Sequence, residues 1–292
     1  MGYKKYRPIR PPKPRYVNNL ISQGKSREEL EVFNMIRLEF PNLKVYESDR
    51  VILHGRELDI WIPSLKIGIE YNGLFYHNSS TKSESYHLWK TVQCEKQGIR
   101  LIQIFSDEWE NKKALVIDTI KKVLGKYSTI SANDTEVLEI SKKEAKDFLD
   151  INSLNGFTIS DIYIGLLYEN SLVSVIGVDI ISEGVLEITQ YADRMKIKVS
   201  NGLHRMISYL KNKFTDISNI YLLIDRRLQS IDDIEDVDFE IIEATEPRTF
   251  YTKDFKSKRL LENFRGKTEE QLTSNGYVKI NDSGLIRLKI IY

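Results

Sequence analysis

The chain has 292 residues, of which 41% are hydrophobic and 29% charged, a balance that suits a folded protein and leaves room for two cores. Its single cysteine, Cys94, rules out an internal disulfide and a thiolate cage, so no zinc is expected. The formal charge of +1 hides an uneven distribution: residues 1–126 hold 22 Lys/Arg against 15 Asp/Glu, residues 127–292 hold 21 against 27, and the front of the chain is the better candidate for phosphate contact.

Residues 1–17 carry Lys4, Lys5, Arg7, Arg10, Lys13 and Arg15 and no acid, interrupted by four prolines. Such a stretch reads as an extended basic arm that can follow DNA, or as a solvated tail. It has no apolar core of a signal peptide, and no segment approaches the roughly 18 apolar residues of a membrane helix. The expectation is therefore a cytoplasmic protein with no membrane partner.

From Ser26 an N-cap signal opens an amphipathic helix with Leu30, Val32, Phe33 and Ile36 on its apolar positions and Pro41 near its end. Three apolar runs follow at 44–53, 57–63 and 66–71, the last two alternating as strands do. A helix is predicted over about 84–97, closed by Gly98, then a strand apolar on both faces at 99–105, then a helix from Asp107 to about Leu124. The polar stretch 127–135 reads as a linker between a first domain, 18–126, and a second, 136–292. In the second, a helix near 141–149, strands near 163–167, 172–179 and 183–191, a helix near 201–213 and a strand at 220–225 precede an acidic segment, 232–246, and a basic one, 248–267. Both domains read as α/β, and no internal repeat links them.

The chemistry concentrates in residues 55–77, GRELDIWIPSLKIGIEYNGLFYH. If 63–66 turn one strand back on the other, Asp59 faces Glu70 while Ile60 meets Ile69 and Ile62 meets Ile67 on the other face. Two carboxylates about 5 Å apart repel unless a cation lies between them. Hard oxygen ligands of this kind suit Mg²⁺ or Mn²⁺, which activates water for phosphodiester hydrolysis. His54, His77 and His87 are three of the four histidines and fall in or beside this region; His77 is placed to move a proton, and His87 and Lys90, three apart on a helix, share a face.

At these residues the chain resembles the very-short-patch-repair endonuclease branch of the PD-(D/E)xK nucleases, and more closely the related phage homing endonucleases. The resemblance spans 26–125. It implies a restriction-endonuclease-like domain with a mixed sheet flanked by helices, a helix glutamate at Glu29 (Glu31 the runner-up), metal ligands at Asp59, Glu70 and the backbone carbonyl near Tyr71, and a catalytic His77. Tyr86, His87, Lys90, Gly98, Ile99 and 107–109 match its later signatures. Asn72 stands where the signature lysine belongs, so the role of orienting water passes to His77 or Lys90.

The second half more loosely resembles the acetyltransferase-like (GNAT-like) domain that follows such nucleases in phage proteins, through 148–156, 164–175, 199–206 and Asp225-Arg226-Arg227. Its phosphate-cradling turn would be Ser200-Asn201-Gly202-Leu203, with one glycine; acyl-CoA is accordingly not expected, and DNA binding or target recognition is. Lys256, Lys258 and Arg259, interleaved with Phe250, Tyr251 and Phe264, are candidate DNA contacts, with an amphipathic surface helix as the alternative. The expectation that follows is a Mg²⁺-dependent homing endonuclease acting on double-stranded DNA, with Asn72 and His87 supporting Glu29, Asp59, Glu70, His77 and Lys90. A homodimer is one way for a single site per chain to cut both strands. The alternatives are a DNA-modifying acyltransferase-like enzyme working through the C-terminal domain and a non-cleaving DNA-binding protein.

Overall fold

The computed structural model describes residues 26–78, 83–234 and 237–291. The chain is mixed α/β and divides into two compact units. One comprises residues through Trp109 together with Glu246–Gly284; the other comprises Glu110–Thr245 and the strand from Leu285. The expected boundary near 126 thus differs from the observed one, which falls inside a helix and leaves the basic segment with the first unit. Residues 1–17, with the six cations of the arm, lie outside the described residues.

In unit 1, helix α1, Arg27–Glu39, begins where Ser26 accepts from the backbone N–H of Glu29 at 3.0 Å and buries Val32, Phe33 and Ile36. Strands β1 (Tyr46–Leu53), β2 (Arg56–Ile62), β3 (Ile67–Asn72) and β4 (Arg100–Phe105) form one sheet in that order. The first three alternate direction; β4 runs parallel to β3, which requires the crossover supplied by helix α2, Tyr86–Glu95. The register Ile60↔Ile69 and Ile62↔Ile67 is the one the alternation implied. Gly68 allows the sheet to pack tightly, since a Cβ there would lie 3.0–3.2 Å from the side chains of Leu58 and Leu101.

Unit 2 is entered through helix α3, Ser106–Val123, whose backbone departs from helical geometry at Lys112. The expected linker 127–135 instead holds strand β5, Ser128–Ser131, and a short 3-10 turn capped by Ser131; its polar residues serve turn chemistry while Ala132 is buried. Then come β6 (Glu136–Glu139), α4 (Lys142–Asn152), β7 (Ile162–Tyr168), β8 (Ser171–Ser182), β9 (Val185–Asp193), β10 (Ile197–Ser200), α5 (Gly202–Lys213), β11 (Asn219–Asp225) and β12 (Asp238–Ala244).

Back in unit 1, β13 (Thr249–Thr252), β14 (Arg259–Leu260) and β15 (Val278–Asn281) make a small sheet in the order β14-β13-β15, with helix α6 (Glu269–Ser274) before its last strand; the basic segment is thus strand, turn and a 3-10 helix, Leu261–Phe264, in place of an amphipathic α-helix. The last strand, β16 (Leu285–Ile291), returns to unit 2 and completes a seven-stranded sheet, β12-β16-β11-β9-β8-β7-β6. Within it only β9 and β11 are parallel. Helix α5 lays Leu203, Met206, Ile207 and Leu210 into the main core with Ile164, Val178, Ile188 and Leu222.

Candidate functional site

The hairpin β2–β3 brings Asp59 and Glu70 together as the register requires. The backbone N–H of Asp59 donates to Glu70 Oε1 at 3.3 Å, and that of Tyr71 donates to Asp59 Oδ2 at 2.8 Å. Glu70 does not lie on a wet face, however. It is 1% exposed, and Lys90, 3% exposed, reaches it from α2 to form a buried ion pair. Burial and then the neighbouring Asp59 push the Glu70 carboxyl up to about 8, opposed by Lys90. Burial alone would lower the Lys90 ammonium, but Glu70, Tyr86 and Asp59 outweigh it and hold the lysine protonated. Cys94, beneath the same cluster, is a buried thiol pushed up to about 12, first by burial and then by Glu70.

Among the described residues, the carboxylates able to share a metal ion are Glu29, Glu57 and Asp59, whose ligand atoms lie within 4.8 Å of one another. Glu29 was expected here and Glu57 was not. Glu57 alternates with Asp59 along β2 and so shares its face, a period-two signal present in the sequence. Glu70, expected as the second ligand, is engaged by Lys90 and is absent from this group.

The remaining residues of the expected constellation meet around Gln103 on β4. Gln103 Nε2 lies 3.0 Å from the His87 carbonyl, 2.7 Å from Thr91 Oγ1 and 2.8 Å from Ser283 Oγ; its Oε1 accepts from Asn72 Nδ2 at 3.2 Å and faces His87 Nδ1 at 2.9 Å. With Oε1 as acceptor, His87 carries its proton on Nδ1. The His77 ring stacks on His87 with centroids 5.3 Å apart. His87 is therefore a buried structural histidine, and His87 and Lys90 share an inward face; neither is a solvated phosphate contact. Gln103 and Ser283 carried no sequence signal, because their partners lie far apart in the chain. Of the expected DNA contacts, Lys256 and Arg259 are exposed, but Lys258 is held by Asp107 and Glu108 at 2.9 and 3.1 Å with a side chain only 6% exposed.

Unit 2 holds a second candidate. Its parallel ladder β9–β11 runs from Val185↔Asn219 to Ile188↔Leu222 and ends, although β9 continues to Asp193 and β11 to Asp225. Beyond that point each strand keeps its outer neighbour: β9 pairs with β8 as far as Asp193, and β11 pairs with β16 as far as Asp225. The parting coincides with a register shift in β8–β9, where Val178 faces Ile188 and Gly177 faces Gln190, leaving Thr189 as the extra residue of a bulge. The two inner strands thus part at their carboxyl ends, the usual place for a ligand crevice in α/β sheets. At the end of β11, Asp225 Oδ2 accepts from Asn155 Nδ2 at 2.9 Å and Oδ1 from the Arg227 backbone N–H at 3.0 Å.

No protein-family profile matches the chain, and no curated protein matches it in sequence. Solved structures do match over about half of it. A GNAT family acetyltransferase from Elizabethkingia anophelis with acetyl-CoA bound is 14% identical, with a TM-score of 0.35 over 55% of this chain and 99% of that one. An IAA acetyltransferase from Bacillus cereus and a Bacillus subtilis acetyltransferase in complex with CoA are each 13% identical, with TM-scores of 0.33 over 54% of this chain and 99% of theirs. Likeness at this level carries no substrate or activity over to this chain.

These matches nevertheless correct the expectations. The three structures named are acetyltransferases, two of them with acetyl-CoA or CoA bound, and none is a nuclease; the expected Mg²⁺-dependent homing endonuclease and the exclusion of acyl-CoA are withdrawn. The very-short-patch-repair likeness and a phage origin gain no support from any of the three. Among the described residues, no helix is long and apolar enough to cross a membrane.

Proposed function

We propose that unit 2 is an acyltransferase that uses an acyl thioester, with double-stranded DNA as the acceptor. The observation that carries the reading is the parting of β9 and β11 after Ile188 and Leu222, while β8 and β16 hold the two strands from outside. Two strand edges that have left their shared ladder offer backbone N–H and C=O groups to an extended ligand, as an open sheet edge offers them to a peptide. The pantetheine arm of an acyl-CoA is such a ligand, because its amides alternate donor and acceptor along an extended chain. Helix α5, beginning at Gly202 just after β10, adds backbone N–H groups suited to a diphosphate.

In the reaction, an acceptor amine attacks the thioester carbonyl. The C–N bond forms, the C–S bond breaks, and the thiol leaves with the proton that the amine gives up. Polar groups of the β9 bulge, Thr189 and Gln190, lie beside Ser160, whose Oγ is 3.1 Å from Thr189 Oγ1 and 3.2 Å from Gln190 Nε2. They give the parted region a polar wall to position the acceptor.

The test is hydrogen–deuterium exchange of the full chain with and without acetyl-CoA, paired with thiol release in the presence of duplex DNA. The expected result is protection of amides in 189–193 and 223–225, with thiol release that depends on the acceptor. Absence of protection there at millimolar acetyl-CoA sinks the thioester site. Protection without turnover on DNA keeps the site and removes the acceptor.

A further inference from the structure

Segment Glu246–Gly284 folds into unit 1 although the whole of unit 2 up to Thr245 precedes it. Two of its cations are tied down, one within the segment and one to the front of the chain. The Arg248 backbone N–H and Nε donate to Asp282, which is 0% exposed, at 2.8 and 2.7 Å. Lys258 joins Asp107 and Glu108 while its Nζ lies 4.3 Å from the centre of the Phe105 ring. The other cations of residues 253–267 behave differently: Lys253, Lys256, Arg259, Arg265 and Lys267 are all exposed, and Asp254 and Glu262 are the only acids among them.

The same stretch carries Phe255, whose ring meets that of Phe75 edge-on at 5.2 Å. Phe75 is 58% exposed and its neighbour Tyr76 is 69% exposed, so the cations adjoin uncovered aromatic surface. Cations beside open rings suit a nucleic acid, which offers phosphates to the first and base faces to the second. Five exposed cations against two open rings is a balance weighted toward phosphate. That weighting fits a duplex, where most contacts go to the backbone, better than a single strand read by a row of stacked rings.

We propose that residues 253–267 of unit 1 form a docking surface for the phosphate backbone of duplex DNA. The surface belongs to a different unit from the thioester site and does not depend on acyl transfer. Lys256 and Arg259 belong to it; Lys258 is a structural residue that holds the segment in place.

The experiment measures binding of a labelled random-sequence duplex to the full chain by fluorescence anisotropy, from about 50 to about 200 mM salt, a range over which phosphate contacts weaken steeply. The wild type is compared with Lys256→Gln/Arg259→Gln/Lys267→Gln and with a control of equal charge loss, Lys113→Gln/Lys126→Gln/Lys142→Gln, whose sites are exposed and lie in unit 2. Loss of three phosphate contacts lowers the slope of log K against log salt by about 3 and weakens binding at least ~10-fold at the lowest salt, and the control leaves both nearly unchanged. Exposed Lys/Arg→Gln changes leave the fold intact, which tryptophan fluorescence verifies. Equal losses in both variants, no loss in the first, tighter binding of single-stranded DNA, or equal binding of poly-glutamate would each overturn the proposal, as would a wild type that binds no DNA. No arm of the experiment contains a thioester, so a failure here leaves the thioester site to its own exchange test; only a wild type that binds no DNA would also remove DNA as the acceptor.

Discussion

Replacing Lys90 by Met removes the cation from the pair it forms with Glu70, side chains that are 3% and 1% exposed, and leaves a carboxyl group with no route to water. Above pH 8, where Glu70 is ionised, breaking the buried pair from one side costs about 3–5 kcal/mol; below it the neutral carboxyl loses a hydrogen bond to a charged group, about 1.5–3 kcal/mol. The cost therefore depends on pH. Glu70 has a folded pKa of about 8 against an ordinary 4.5, so the stability tied to its protonated form is complete below pH 4.5 and is lost as pH climbs through 8. Above pH 8 the wild type levels off with respect to this group.

In Lys90→Met the charge and hydrogen bond by which the lysine lowers the Glu70 pKa are gone and only the weaker Asp59 backbone N–H remains, so the folded pKa rises further and stability keeps falling by about 1.4 kcal/mol per pH unit beyond 8. The three tryptophans, Trp61, Trp89 and Trp109, all lie in unit 1, so urea unfolding followed by tryptophan fluorescence reads this unit alone. Adding Glu70→Gln should flatten the alkaline slope and recover about 2 kcal/mol. A cost below about 1 kcal/mol at pH 9, or pH profiles that run parallel to the wild type, would refute a closed, dry Glu70–Lys90 pair.

Two further outcomes test other parts of the structure. Gln103→Leu, at a 0% exposed position, takes a partner from Asn72, His87, Thr91 and Ser283 and should destabilise unit 1 by about 2–4 kcal/mol in the same fluorescence assay; a change under about 0.5 kcal/mol means the network is wet. Gly184 sits at φ +70 in the β8–β9 turn, where a Cβ would lie 2.5 Å from the Asp216 carbonyl oxygen; Gly184→Ala should cost at least ~1 kcal/mol, seen as faster amide exchange in β8 and β9, whereas unchanged exchange would show that the turn relaxes without loss.

Local patterns carried much of this chain. Ser26 and Glu29 signalled the start of α1, Gly98 the end of α2, and the alternation around Asp59 and Glu70 set the β2–β3 register; each is a contact between residues close in sequence, which is where periodicity and capping act. Glu57 stood two residues from Asp59 on the same strand and was legible on the same grounds. Segments with weak periodicity were not legible. β5 hid in a polar stretch, because it pairs with β10 and not with a neighbour in sequence, and β13 to β15 form where a surface helix was one of two readings.

By itself the sequence determined most elements before Lys126, the pairing of Asp59 with Glu70, and the α/β character of both halves. Only the tertiary structure decided what those groups are for. It took Glu70 out of water and gave it Lys90 as a partner, turned His87 into a buried member of the Gln103 network, and made Lys258 a clamp on Asp107 and Glu108. It also joined 246–284 to the front of the chain and parted β9 from β11. Burial and long-range pairing fix the charge state and the accessibility of a side chain, and neither is encoded in the spacing of residues along one strand or helix.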